Sequence, residues 1–285
     1  MNRKVKLIEC PRDAMQGWAD FIPTEKKVAY INALLKVGFD TIDFGSLVSP
    51  KAIPQMADTK EVITKLNLTN TQTKLLAIIA NVRGADDAVG YEQIDYLGFP
   101  FSVSETFQQR NTNASIDDSF MHVSEIQNLC IKNNKELVVY ISMGFGNPYG
   151  DIYNEDIVFK WVNKLNSLGV KIISLADTVG VATSDQVEKM TKYLIDNFPQ
   201  TEIGVHLHST ATNWKVKTDA ALNAGCNRFD GALKGIGGCP MAGNDLVGNM
   251  NTELMIPYFK ELSLIENINE VALQECIQLA GEIFI

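Results

Sequence analysis

"ELVVYISM" (136–143), "NEDIVFKWVNKLNSLG" (154–169) and "KIISLAD" (171–177) decide the fold between them. The first and third runs are nearly continuous in Val, Ile and Leu, as strands covered on both faces must be. The middle run places its apolar residues at helical spacing and closes on Gly169, the signature of a helix packed on a sheet. Strand, helix, strand is one unit of an α/β fold, and the same pattern extends in both directions. The runs "VKLIEC" (5–10), "TIDFG" (41–45), "KLLAIIA" (74–80), "QIDYLGFP" (93–100), "IGVHLHS" (203–209) and "RFDGALKG" (228–235) bring the strands to eight. Residues 23–38, with Thr24 as candidate cap and Gly38 at the close, read as helix, as do 183–198 and 212–225. Eight alternating units predict a (β/α)8 TIM barrel with a helical tail after about residue 253, a doubly wound open sheet being the alternative. No Gly/Ser/Pro linker, charge block or repeat divides residues 1–285, so one catalytic domain is expected.

The composition narrows the partners. The chain has 285 residues, 46% hydrophobic and 21% charged, with a formal net charge of −9. That balance disfavours nucleic acid and anionic membrane, both of which need basic surface. No stretch reaches the apolar length of a membrane span, and the apolar run in "MNRKVKLIEC" is too short for a signal peptide. The five cysteines are scattered without a CxxC pair, which points to reduced thiols in the cytoplasm.

In a barrel the polar residues that act cluster at the C-terminal strand ends. Strand 1 runs into Arg12, Asp13 and Gln16, strand 2 carries Asp43, and strand 4 leads to Ser102 and Glu105. Strand 6 ends in Asp177, strand 7 holds His206 and His208, and strand 8 leads to Cys239 in "GIGGCP". Of three histidines in the chain, two are thus two residues apart on one strand. Residues i and i+2 of a strand share a face. A lone histidine reads as a core residue, but this converging pair reads as a metal site, imidazole being the commonest ligand. Asp13 reads either as a turn residue or as a carboxylate added to that pair, giving an oxygen and nitrogen set that suits Mg²⁺, Mn²⁺, Fe²⁺ or Zn²⁺. Asp177 reads either as a cap or as a carboxylate that orients a ligand. Cys239, flanked by glycines, reads as a thiol on a loop able to close over the site.

Taken together, "PRDAMQ" (11–16), "SLVSPKAIPQMAD" (46–58), "SETFQQRNTNASIDDSF" (104–120), "SMGFGNPYG" (142–150), "SLADTVGVAT" (174–183), "VHLH" (205–208), "GGCPMAG" (237–243) and "GNMNTE" (248–253) resemble the 3-hydroxy-3-methylglutaryl-CoA lyase family. These are metal-dependent Claisen-type lyases built on a (β/α)8 barrel. The resemblance implies Asp13, His206, His208 and Asn249 as metal ligands, Mg²⁺ or Mn²⁺ as the ion, and Arg12 as the stabiliser of an enolate. It implies Cys239 as the catalytic cysteine and Asp177 as a catalytically important carboxylate. Asp13 and His206 are the candidate bases, and Arg12 and Gln16 the expected substrate contacts. The chain departs from the family in Ala14 for Gly, Asp43 for Glu and Ser209 for Asp. It also lacks a lysine soon after Gln16 and carries one extra residue between Cys239 and Asn249. Asp43 joins the catalytic candidates by its place on strand 2.

The resemblance implies retro-Claisen cleavage of an acyl-CoA, 3-hydroxy-3-methylglutaryl-CoA, to acetyl-CoA and acetoacetate, by a homodimer serving leucine breakdown. Two alternatives stand beside it. One is a related barrel aldolase or acyltransferase acting on a 2-oxo acid; "GGCP" argues against it, and the lack of an added C-terminal domain argues against the long condensing synthases. The other is a metal-binding barrel that has lost lyase activity.

Overall fold

A computed structural model of the protein describes residues 4–238 and 247–285. Its strands are β1 (Lys6–Glu9), β2 (Thr41–Ser46), β3 (Lys74–Ile78), β4 (Tyr96–Ser102), β5 (Glu136–Ser142), β6 (Ile172–Ala176), β7 (Glu202–His206), β8 (His208–Ser209), β9 (Arg228–Gly231) and β10 (Gly248–Asn249). The first seven and β9 close into a parallel barrel, with β9 pairing back onto β1. The expected TIM barrel is therefore the fold, and the open sheet is excluded.

Helices cover the outside: α1 (Pro11–Gln16), α2 (Thr24–Leu34), α3 (Thr59–Thr64), α4 (Val82–Val89), α5 (Glu105–Thr112), α6 (Ile116–Lys132), α7 (Glu155–Ser167), α8 (Ser184–Asn197) and α9 (Trp214–Asn223). The helical tail is α10 (Thr252–Glu261) and α11 (Glu270–Ile283), and it ends with Phe284 set edge-on against Trp18 and Tyr30. Most starts are written in the sequence: Ser104, Ser115 and Asn154 each accept a backbone N–H at a helix start, and Thr183 with Gln186 forms a capping box. Among the described residues no helix is long and apolar enough to cross a membrane.

Strand alternation separates two apolar layers. On β4, Leu97, Phe99 and Phe101 point outward into the core shared with the helices. Inside the barrel, Leu76, Ile78, Val138, Tyr140 and Ile172 form a smaller cluster of their own. Truncating an outward residue such as Phe99, fully buried, costs about 3–5 kcal/mol by the cavity it leaves. Gly204 on β7 makes room inside the barrel, since a Cβ there would meet Arg228 Cδ at 2.9 Å. Arg228 is fully buried and donates to Glu202 at 3.2 Å, which plugs the N-terminal end with charge.

Three local expectations need correction. Thr24 does not cap α2: Pro23 occupies the cap position, and the Thr24 hydroxyl donates to Asp58 at 2.8 Å instead. The run 203–209 is not one strand, because beyond His206 the chain leaves the barrel. His208–Ser209 then pairs antiparallel with Gly248–Asn249. The run 228–235 is strand only to Gly231, since Lys234 takes φ +64° in a tight turn over 233–235.

Candidate active site

Seven neighbouring strand ends, β1 to β7, and their loops build a cavity of about 340 Å³ at the C-terminal mouth. Arg12, Asp13, Gln16, Asp43, His206 and His208 line it, together with Tyr140, Ser142, Thr178 and, further out, Phe107 and Arg110. Alternation explains the membership. Asp43, Tyr140, Ser142 and His206 occupy inward positions on β2, β5 and β7. Arg12, Asp13 and Gln16 arrive on α1, whose first helical residue is Pro11, pre-set for a helix start.

Asp13, His206 and His208 each present a ligand atom, all within 4.8 Å of one another, and the two imidazole centroids lie 5.4 Å apart. The hydrogen bonds behind the rings fix which nitrogen is free. His206 Nδ1 lies 3.1 Å from Asp230 Oδ2, and His208 Nδ1 lies 3.0 Å from the carbonyl of Thr178. Each Nδ1 therefore carries the proton and each Nε2 the lone pair, the arrangement in which histidines bind metals. His208 Nε2 is buried with no hydrogen-bond partner. A polar atom left so in the interior is costly unless an ion completes it, and the donor set suits a divalent cation.

The charges agree with that chemistry. Burial pushes Asp13 up, but Arg12 and both histidines outweigh it and hold the carboxyl below its ordinary value. Burial likewise opposes charge on His206, but Asp230 overrides it and raises this imidazole. Burial, then the neighbouring His206, pushes His208 down to about 4, so that it stays neutral and ligand-ready.

Arg12 is clamped. Its Nε and Nη2 donate to Asp43 Oδ2 at 3.0 and 2.6 Å, and its Nη1 donates to Asp13 Oδ1 at 3.2 Å and Gln16 Oε1 at 2.8 Å. Gln16 also donates to Asp13 Oδ1 at 2.6 Å, so both ends of its amide hold the site together. Burial pushes Asp43 up to about 6 against the pull of Arg12. Asn249, on β10, donates to Asp13 Oδ2 at 2.6 Å and to the carbonyl of Ile236 at 2.9 Å, which leaves its Oδ1 as the atom to offer an ion. Gly237, at φ +104°, is what lets the chain pass so close: a Cβ there would meet Asn249 Nδ2 at 2.6 Å and Asp13 O at 2.8 Å.

Asp177 stands apart. It follows the inward Ala176 by one residue, so its side chain faces the helix layer, where it is 1% exposed. Its Oδ1 accepts from the amide of Ala182 at 3.1 Å, and its Oδ2 accepts from Lys217 Nζ at 2.6 Å. Lys217 also donates to the carbonyl of His208 at 2.8 Å, tying this buried pair to the strand that carries that imidazole. Ser102 and Glu105 hold the α5 entry: the Ser102 hydroxyl accepts from the amide of Ser104, and Glu105 accepts from the amide of Ile116. Cys239 lies outside the described residues.

Sequence reasoning missed Asp230, Lys217 and Glu9. Asp230 carried a signal, since Arg228 and Asp230 share the inward face of a strand otherwise apolar. Glu9 is fully buried, accepts from Leu233 N and Thr252 Oγ1, and is pushed up by burial to about 8. It anchors the segment that leads to Gly237.

The sequence profile described as HMGL-like matches residues 4–280. The mouse mitochondrial hydroxymethylglutaryl-CoA lyase is 31% identical over 272 residues, 94% of this chain and 82% of that protein. The Bacillus subtilis hydroxymethylglutaryl-CoA lyase is 32% identical over 267 residues, 93% of this chain and 88% of that one. Among solved structures, an HMG-CoA lyase from Acinetobacter baumannii, in complex with coenzyme A and 3-methylmalate, superposes with a TM-score of 0.91 at 31% identity, covering 99% of this chain and 91% of the other. Barrel, inward-facing site and sequence agree, and the chain belongs to the HMGL-like family.

Proposed function

We propose that this protein is a divalent-metal-dependent carbon–carbon lyase that cleaves 3-hydroxy-3-methylglutaryl-CoA to acetyl-CoA and acetoacetate. The observation that carries the reading is the convergence of Asp13, His206 and the unpartnered Nε2 of His208 at the floor of one cavity. Asp13, His206, His208 and Asn249 would hold the ion, which we take to be Mg²⁺ or Mn²⁺ because oxygen donors match the histidines in number. When bound, the ion supplies Lewis acidity that lowers the pKa of the substrate's tertiary hydroxyl.

Of the two candidate bases, Asp13 is held low and saturated with donors, whereas His206 is raised and backed by Asp230. We therefore favour His206 as the base: its single Nε2 lone pair would hold the ion before substrate binds and would take the hydroxyl proton only on leaving it, with Asp13, His208 and Asn249 remaining as the residues that hold the ion. The C–C bond then breaks, its electrons pass to the thioester oxygen, and acetoacetate departs. The guanidinium of Arg12, fixed by Asp43 and Gln16, provides a preorganised positive charge where the enolate oxygen develops. Protonation of the enolate carbon yields acetyl-CoA, and Cys239, two residues beyond Gly237 in sequence, is our candidate donor. Asp177 acts in this scheme as a positioning residue, through Lys217 and the backbone of His208.

Incubating the purified chain with Mn²⁺ or Mg²⁺ and 3-hydroxy-3-methylglutaryl-CoA should release acetoacetate, and chelation should abolish it. Release of product only from free 4-hydroxy-2-oxo acids would replace this reading with the aldolase alternative. A homodimer in the cytoplasm is the assembly and compartment we assign. Free, buried thiols at Cys10, Cys130, Cys226 and Cys276 support a reducing compartment, and light scattering tests the dimer.

A further inference from the structure

Beneath the cavity floor lies a second group of ligand atoms, which shares His206 with the site above and brings in Cys10, a residue the mechanism does not use. Cys10, His206 and Asp230 offer a sulfur, a ring nitrogen and a carboxylate oxygen, all within 4.8 Å of one another. They sit at the ends of three neighbouring strands: Ile8 of β1 pairs with Asp230 of β9, and Val205 of β7 pairs with Phe229. Cys10 is fully buried and free, and Asp230 is 2% exposed. Asp230 Oδ2 is satisfied by His206, but its Oδ1 is buried with no hydrogen-bond partner. The Cys10 thiol has only a long contact, 3.9 Å, to the carbonyl of Ile8.

We propose that Cys10, His206 and Asp230 form a second metal site, selective for thiophilic divalent ions such as Zn²⁺ or Cd²⁺, whose occupancy disables the hard-ion site above it. Three protein ligands of sulfur, nitrogen and oxygen leave one tetrahedral position open, an arrangement Zn²⁺ accepts, whereas Mg²⁺ and Mn²⁺ prefer oxygen donors. Binding is charge-balanced: the thiol releases its proton to solvent, and thiolate plus carboxylate neutralise the divalent charge, as burial requires. His206 is the shared element. A neutral imidazole has one lone pair. When Nδ1 turns from Asp230 to the soft ion, the ring proton moves to Nε2, and His206 is lost to Asp13 and His208. Only this antagonism rests on our reading of Asp13, His206 and His208 as a metal site; binding of a soft ion at Cys10 does not.

The test uses the metal-free full chain. Titration with Cd²⁺ alone, followed by thiolate-to-cadmium charge-transfer absorbance, should saturate at a single equivalent. The band should persist in Cys239→Ser and vanish in both Cys10→Ser and Cys10→Ala. Cd²⁺ affinity should fall at least about tenfold in the Cys10 variants, while Mn²⁺ affinity, read by electron paramagnetic resonance, holds. A band that survives loss of Cys10, or an equal fall in Mn²⁺ affinity, overturns the site. In a second arm, Cd²⁺ added to the Mn²⁺-loaded protein should release Mn²⁺ from the wild type and much less from Cys10→Ala. Simultaneous retention of both ions by the wild type overturns the antagonism. Absence of Mn²⁺ binding with the Cd²⁺ band intact overturns the hard-ion reading instead.

Discussion

Arg12→Gln separates stabilising a transition state from holding a substrate. The enolate oxygen bears little charge until the C–C bond breaks, so a cation aimed at it contributes mainly in the transition state. Losing one such contact costs about a hundredfold in kcat, roughly 3 kcal/mol. The structure adds a stability term. Arg12 is the partner of Asp43, which is 1% exposed, and removing one member of a buried pair destabilises by about 3–5 kcal/mol. Because burial has already raised Asp43 to about 6, the orphaned carboxyl escapes by protonation and the loss falls toward the lower end. Arg12→Gln with Asp43→Asn should therefore recover most of the lost urea stability and none of the lost kcat. Lysine at position 12 should rescue poorly, since a point charge cannot span Asp43 and Gln16 as the guanidinium fork does. The assay is steady-state release of acetoacetate at saturating Mn²⁺, alongside urea unfolding. If KM rose with kcat unchanged, Arg12 would be a substrate anchor and the enolate role would be wrong.

His208→Ala should weaken Mn²⁺ binding at least about tenfold, and calorimetry giving equal affinities would remove His208 from the ligand set. The pH dependence of the metal-free protein follows from the same residue. With its folded value lowered to about 4, His208 takes up a proton in the unfolded chain first. Its contribution is present above the unfolded pKa and is lost as pH falls from about 6.5 toward 4, on the order of 3 kcal/mol. Wild type and His208→Asn should accordingly converge in urea stability across that window, and parallel curves would refute the assignment. Lys217→Met, which strands Asp177, should destabilise by about 3–5 kcal/mol, whereas Lys217→Met with Asp177→Leu should recover it; failure to recover would mean Lys217 is needed for more than charge balance. Arg110, at the cavity rim with its guanidinium 4.7 Å from the Tyr149 ring, should raise KM for the anionic acyl-CoA when changed to Ala while leaving kcat alone.

The barrel was legible because parallel strands buried on both faces have no choice but to be apolar runs, and the helices between them must show a 3.6-residue face. What sequence did not show is where a strand leaves the sheet. "IGVHLHS" reads as one strand, yet the backbone beyond His206 pairs with Gly248 and Asn249, some forty residues later. That partner is non-local, and periodicity carries no trace of it. Thr24 failed for a related reason: its hydroxyl had a better acceptor in Asp58, across a gap only the fold closes.

The site divides along the same line. Arg12, Asp13, His206 and His208 could be placed from strand ends alone, and the period-two rule that put both histidines on one side also explains Asp177. Position 177 is one step past an inward residue, so it turns to the helices and meets Lys217 instead of the cavity. Applied to "RFDG", the rule would have placed Asp230 inside, behind His206. The distinction matters chemically. Asp230 and the Thr178 carbonyl decide that each Nε2, and not Nδ1, carries the lone pair toward Asp13. Two histidines with the opposite tautomers would point protons at the same place and repel a cation. The arrangement of the histidine pair is thus a property of four groups, of which the HxH spacing displays two. The other two come from the barrel's closing strand and from a loop carbonyl, which every residue possesses and no sequence pattern marks.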